Sequence, residues 1–428
     1  MNDSPCMVSP LPPYAAVIGL DWGNEEHAVC MLETATGALE SKTLSQSAQS
    51  LAAWLTQLEA RFSGQQVALC LEQSRGAVVN ALLGHSWLVL YPINPKSLSS
   101  YRTSRKVSGT KNDSSDALLL CEYLAKHWDS LRPWQPDTVQ VRQLALLVED
   151  RRQTVELQVQ AVQRLQAVLK SYFPQALQLA GDNLGSEMAT DFLSRWPTLQ
   201  KLQKVLKSQP HILAGFYRKH NCRSQKKMQE RGELALGAQP LTRDEAVLQA
   251  GQMKTTMLVG QLKSLRVSIE RYDREIARLF EEQEDAPFFK HLPGAGPQLA
   301  PRLLAAMGTD RKRLRNANDL QSFTGIAPVT KQSGKSCYVH QRYACSKFLK
   351  QSFHEFALCS VRVSVWAKAF YALQRHRGKS HHMAVRALAY KWQRVIWRCW
   401  QDRVPYSEEQ YIRALRERNA PLCEFLPN

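Results

Sequence analysis

Four carboxylates stand where metal-assisted chemistry would need them. Asp21 closes the apolar run V-I-G-L-D-W-G at 17–23, and Glu72 closes a second run, V-A-L-C-L-E, at 67–72. Asp113 and Asp116 open an apolar helical stretch, three residues apart in K-N-D-S-S-D. Val17, Ile18 and Leu20 favour a buried strand, which leaves Asp21 near its exposed end. The i, i+3 spacing sets Asp113 and Asp116 on one helix face. A lone acid after a strand is ordinarily a turn cap, but four acids at element ends can converge on one pocket. Converging carboxylates repel unless a cation sits between them. Hard oxygen donors take a divalent ion, Mg2+ first and Mn2+ as the alternative.

A second group of residues lies in the C-terminal third. The stretch 319–335 reads D-L-Q-S-F-T-G-I-A-P-V-T-K-Q-S-G-K. Gly325 and Pro328 predict one tight loop, and Ser333–Gly334 a second, between Lys331 and Lys335. A serine beside a glycine has an accessible hydroxyl, and flanking lysines draw in a phosphodiester and offset charge as it is attacked. An ordinary loop serine is the plainer reading of this spacing alone. Upstream, L-P-G-A-G-P at 292–297 resembles the turn of a helix-hairpin-helix, where Gly294 and Gly296 would let backbone N–H groups approach a phosphate. The R-K-R-L-R cluster supplies Arg311, Lys312, Arg313 and Arg315 as phosphate contacts. Arg102, Arg105, Lys106 and Lys111 form another basic segment just before Asp113. The basic run at 219–231 reads equally as a solvated face or a phosphate contact.

The elements that must position these groups read in order. Strands are predicted at 15–22, 27–33, 39–44, 67–72 and 87–91. A helix fits the apolar face Leu51, Trp54, Leu55 and Leu58 after a cap at Ser45 or Ser47. A short helix fits 74–84, and a longer one 113–127. From 137 the pattern changes to long amphipathic helices at 139–172 and 244–284 around shorter ones at 191–207 and 210–220, which predicts a helical hairpin arm. Helices follow at 348–362, 365–375 and 381–402. The last is rich in arginine and in Tyr390, Trp392, Trp397 and Trp400, which at helical spacing read first as core.

Charge is uneven. The chain carries +18 overall, yet its first 130 residues hold nine Lys and Arg against twelve Asp and Glu, which leaves +21 on the remainder. A polyanionic partner is the expectation. The ten cysteines include no C-x-x-C pair and no zinc spacing, so they read as thiols of a reducing compartment. The polar, Pro-rich start is unlike a signal peptide, and no apolar run is long enough for a membrane. The expected location is cytoplasmic, with no membrane partner.

The order of three strands, helix, strand, helix, strand, helix is that of the ribonuclease-H-like fold, and the acids fall on its first strand, fourth strand and last helix. With N-D-S-S-D-A, P-G-A-G-P and G-I-A-P-V-T-K-Q-S-G-K-S, the chain resembles over nearly its whole length the DEDD transposases of the insertion-sequence family numbered one hundred and ten, with the eleven-eleven branch included. Its N-terminal half also resembles RuvC-like junction resolvases. The resemblance implies a multidomain α/β plus α protein. A RuvC-like mixed sheet at 14–131 is followed by a helical, coiled-coil arm at 137–287. A mainly helical C-terminal domain with the helix-hairpin-helix-like element then spans 288–405, and 406–428 forms a tail. It implies Mg2+ on Asp21, Glu72, Asp113 and Asp116, and Ser333 as nucleophile, with Ser336 close by. It further implies donor and target DNA, a structured guide RNA, and a homodimer or homotetramer. The alternative is a metal-dependent junction endonuclease that uses the acids alone with water as nucleophile.

Overall fold

The computed structural model describes residues 12–72, 76–105, 113–334 and 336–426. They form two compact units, one reaching Pro136 and one starting at Asp137.

The first unit runs β1 (Ala16–Asp21), β2 (Glu26–Glu33), β3 (Leu39–Ser45), α1 (Ala48–Arg61), β4 (Val67–Leu71), α2 (Ala77–Leu82), β5 (Leu88–Pro92), α3 (Pro95–Arg105) and α4 (Asp113–His127). The sheet order is β3-β2-β1-β4-β5. β1 pairs antiparallel with β2 and parallel with β4, and β4 is parallel to β5. This is the RuvC-like mixed sheet expected. Strand alternation divides its two cores. Ile18, Leu20, Leu69 and Leu71 pack with Leu51, Trp54, Leu55 and Leu58 of α1. Val17, Ala68 and Cys70 pack on the other face with Ala117, Leu120, Cys121 and Leu124 of α4. Ser47 caps α1, its hydroxyl accepting from the Ser50 N–H.

The basic segment before Asp113, to which no element was assigned, carries α3. Pro95 at its start suits a helix N-terminus. Leu98 supplies the single fully buried anchor, and Tyr101 packs edge-on against Tyr123 of α4. Tertiary contact overrides weak local propensity.

The second unit begins with α5 (Val139–Tyr172), α6 (Ala176–Leu179), α7 (Glu187–Arg195), α8 (Leu199–Ser208), α9 (Ile212–Lys219), α10 (Gln225–Gly237) and α11 (Glu245–Glu281). The helix expected over 191–207 is two helices, since Pro197 falls between α7 and α8. α5 and α11 lie antiparallel and share two cores. Leu165, Leu169, Leu258 and Leu262 pack with α7–α9 in the arm. Val141, Leu144, Ile276 and Leu279, from their other ends, enter the C-terminal core.

That core is completed by α12 (Ala286–Lys290), α13 (Gly296–Met307), α14 (Ala317–Phe323), the hairpin β6 (Val329–Ser333) and β7 (Ser336–His340), α15 (Lys347–Ser360), α16 (Val365–His376), α17 (His381–Gln401) and α18 (Glu408–Glu417). α17 runs through its middle, burying Leu388, Trp392, Ile396 and Trp400. Leu415 and Leu422, beyond residue 405, also belong to this core. No single helix among the described residues is long and apolar enough to cross a membrane.

Candidate functional site

The acids are positioned by strand register and by one glycine. β1 and β4 run in parallel with Leu20 opposite Leu71. The next residues, Asp21 and Glu72, therefore emerge side by side from strands about 4.8 Å apart. They line one small cavity of about 60 Å3 with Trp22, Val78 and Val79. α4 crosses the β1 face at backbone contact. A Cβ on Gly19 would stand 2.0 Å from the Ala117 carbonyl oxygen and 2.4 Å from the Cys121 nitrogen. Only glycine allows that approach. Two residues before Asp21 and one after Asp116, this contact sets the first turn of α4 close to the end of β1. Cys121 ties the same junction, its thiol donating to the Val17 carbonyl at 3.2 Å.

Asp116 is 3% exposed, whereas Asp113 is exposed on the same turn. The counter-charge for Asp116 is Arg102 of α3, with Nη2 2.7 Å from Oδ1. The contact is an ion pair out of hydrogen-bond alignment, so that Oδ1 is buried with no hydrogen-bond partner. Arg102, expected as a nucleic-acid contact, is thus spent on an acid of the quartet. Arg105 pairs with Glu122 on α4. Lys106 and Lys111 lie outside the described residues.

Among the described residues no three His, Cys, Asp or Glu side chains are grouped so as to hold one metal ion. The donors themselves fit a hard divalent cation. Asp21 and Glu72 share one cavity, whereas the Asp116 Oδ1 is already paired with Arg102 and would have to exchange that partner for a cation. They are carboxylate oxygens, the donor type that Mg2+ takes.

The segment around Ser333 is a β-hairpin where loops were expected. Val329 pairs with His340 and Ser333 with Ser336. Gly334 has φ +56°, as the twist of a tight hairpin favours. Lys335 itself lies outside the described residues. Lys331 and Ser333 stand two residues apart on β6, on one face of the strand, and every described residue from Lys331 to Val339 is exposed. The alternation of Thr, Gln, Ser, Tyr and Val is a strand signal that the Gly and Pro on either side obscured.

The other predicted phosphate contacts divide by what their charges already do. Gly294 has φ +85°, and its Cβ would meet the Cys359 and Ser360 backbone at 2.8 Å, so it serves close packing on α15. Gly296, at φ +56°, is open to solvent. Arg311 pairs with Asp285 at 2.6 Å and stacks on Trp400. Arg313 donates to the Ala306 and Met307 carbonyls that end α13, and burial holds its guanidinium below the ordinary arginine range. Lys312 and Arg315 are exposed. The cluster is half structural and half available.

Two family models match this chain. One, described as a transposase and of the DEDD type of IS110, matches residues 18–174. The other, described as the transposase IS116/IS110/IS902 family, matches residues 286–372. The chain is 27% identical over 400 residues to the mini-circle protein for IS117 of Streptomyces coelicolor, covering 92% of this chain and 95% of that one. It is 25% identical to the 44.8 kDa protein of insertion element IS116 of Streptomyces clavuligerus, over 90% and 94% of the two chains. With the 42 kDa protein of insertion element IS900 of Mycobacterium paratuberculosis it shares 24% identity, over 91% and 96%.

Proposed function

The chain belongs to the IS110 family of DEDD transposases and acts on DNA, and from that premise we propose that it cuts and rejoins DNA through a covalent serine–DNA link. In this reading Ser333 is the nucleophile and Asp21, Glu72, Asp113 and Asp116 hold Mg2+. The observation that carries it is the register of β1 and β4 together with the Gly19 contact, which brings the acids of three separate segments to one end of the sheet. Mg2+ bound there would polarise the scissile phosphate and offset the charge that develops on it.

The Ser333 Oγ forms a bond to phosphorus, and its proton passes to water. The phosphorus–oxygen bond to the leaving sugar breaks, and that oxygen takes a proton. One phosphodiester is exchanged for another, so its energy is kept for rejoining to a second strand. Lys331, two residues from Ser333 on the same face of β6, attracts the phosphate. The +21 carried after residue 130 supports a structured guide RNA as partner beside donor and target DNA. The acids and Ser333 lie in different units, which accords with sites assembled in a homodimer or homotetramer. That same separation favours the second reading, a junction endonuclease in which the first unit works alone with water.

The test uses purified protein, RNA from the flanks of the element, donor and target DNA, and Mg2+. Denaturing gels should show a protein–DNA adduct in the wild type and none in Ser333→Ala. Cleavage in both proteins with an adduct in neither would overturn the serine reading in favour of the endonuclease. An adduct surviving in Ser333→Ala but lost in Ser336→Ala would move the nucleophile.

A further inference from the structure

A groove of about 1050 Å3 opens between the hairpin and helices α16, α17 and α18. Its lining holds seven Lys and Arg residues and no Asp or Glu. Along α17 the lining positions run 383, 386, 387, 390, 391, 394, 395, 397, 398 and 399, a stripe at helical spacing that broadens toward the C-terminal end and is about 24 Å long. α17 has no acidic residue in its 21 positions. Arg386 and Arg394 on the stripe, and Arg377 and Arg418 across from it, form no ion pair among the described residues, while Arg398 is paired with Asp402. Lys391 is held against aromatic faces, its ammonium 5.0 Å from the Phe370 ring centre and 6.0 Å from those of Trp366 and Tyr411. Burial and the neighbouring Arg394 depress its pKa. Cations of one sign gathered over an apolar, aromatic floor repel one another, and a polyanion relieves that repulsion.

The groove begins where the hairpin ends. Val339 and His340 of β7 line it, and β7 leads from there to Ser336, the partner of Ser333, about 13 Å away along the strand. We infer that this groove holds a single strand of DNA, the stretch adjoining the phosphodiester presented to Ser333. The Arg stripe tracks the backbone phosphates, and Phe370, Tyr390 and Trp397 form the floor on which bases lie, the combination that binds single strands without reading their sequence. The inference rests on the serine reading only for which stretch of strand is held, and not for the binding itself.

The test is fluorescence anisotropy of a labelled single-stranded oligodeoxynucleotide of about 12 nucleotides with the full-length chain, titrated at several salt concentrations. Arg386→Glu combined with Arg394→Glu should weaken binding at least tenfold and flatten the slope of log K against log salt by about 1.4, at 0.7 per phosphate contact. Lys replacements at the same positions should restore most of the affinity. Lys204→Glu with Lys207→Glu, an equal change in net charge on exposed residues of α8, should change it less than twofold. Equal losses from both pairs, or none from the groove pair, would overturn the proposal. So would a loss confined to an oligoribonucleotide of the same sequence, which would make RNA the occupant. If the first pair unfolds the chain, Arg377→Glu with Arg418→Glu, both exposed, puts the same question. Strand binding lost in the groove variants, in a protein that forms no adduct even as wild type, would overturn the serine reading and leave the groove standing.

Discussion

The acids and the serine are built in opposite ways. Asp21, Glu72 and Asp116 are fixed by the parallel register of two buried strands and by a helix lying in backbone contact with one of them. Ser333 stands at the exposed tip of a two-stranded hairpin whose described residues from Lys331 to Val339 are all open to solvent. A two-stranded ribbon alone is marginal in water. The acid end is therefore set when the sheet folds, while the fold itself holds Ser333 only through the hairpin. In the proposed reaction that division would let the serine carry a strand from one place to another.

The comparison breaks most severely at Gly19. Gly19→Val would drive a Cβ to within 2.0 Å of the Ala117 carbonyl, a backbone atom that cannot step aside. The expected loss is more than about 3 kcal/mol in the first unit, with the arm and C-terminal core keeping their transition. Thermal unfolding followed by calorimetry checks it. A shift of both transitions together would show that the units do not melt independently.

Asp116→Ala comes next. It leaves Arg102, 17% exposed at its side chain, as an unpaired and largely buried cation. Breaking a buried pair from one side costs about 3 kcal/mol, and Asp116→Asn, which keeps the shape, should cost less. Urea titration of both variants measures this, and adduct formation should be lost in both. A stable Asp116→Ala protein would mean that Arg102 finds solvent easily and that the pair holds nothing in place.

His27 sharpens the picture further. The ring is 1% exposed, and its Nδ1 accepts from the Gly23 N–H in the turn just after Asp21. Burial holds its pKa below the ordinary 6.5. The unfolded chain therefore takes up a proton first as pH falls. The stabilisation is complete above pH 6.5 and declines as pH drops through the folded value. Stability of the first unit should fall with acidification through that window, and His27→Gln should flatten the dependence. No acid is added or removed in that variant, so an unchanged slope would assign the effect to the carboxylates.

How much of this was legible beforehand follows the same division. The strands bearing Asp21 and Glu72 could be read because β-branched and leucine runs end abruptly in an acid, and α4 because its apolar period is unbroken. The convergence was implied by the order of elements but not its means. Gly19 reads as one more residue of an apolar run, and only the packed helix reveals why it must lack a side chain. α3 escaped because its stability comes from Leu98 and Tyr101 meeting other elements rather than from its own polar sequence. The arginines at 311 and 313 looked like free charge, since nothing local announces Asp285, Trp400 or the end of α13 as their partners. α17 was read as core from its tryptophans, which it is on one face. Its acid-free opposite stripe was present in the sequence at i, i+3 and i+4 spacing and carries the groove.

The smallest effect on stability belongs to Ser333. Its side chain is exposed and its strand pairs only with β7, so Ser333→Ala should change unfolding free energy by no more than about 0.5 kcal/mol. The same substitution should abolish the covalent adduct. Hydrogen exchange gives the complementary measurement, since amides of the hairpin should exchange near the fraying limit while those of β1 and β4 follow global unfolding. Adding a DNA strand should slow exchange in β6 and β7 and leave β1 and β4 unchanged. If the free hairpin is already as protected as the sheet, the serine is preplaced like the acids, and the contrast between the two regions disappears. If the strand slows exchange at the hairpin in Ser333→Ala as in the wild type, the placement comes from binding along the groove rather than from the covalent bond.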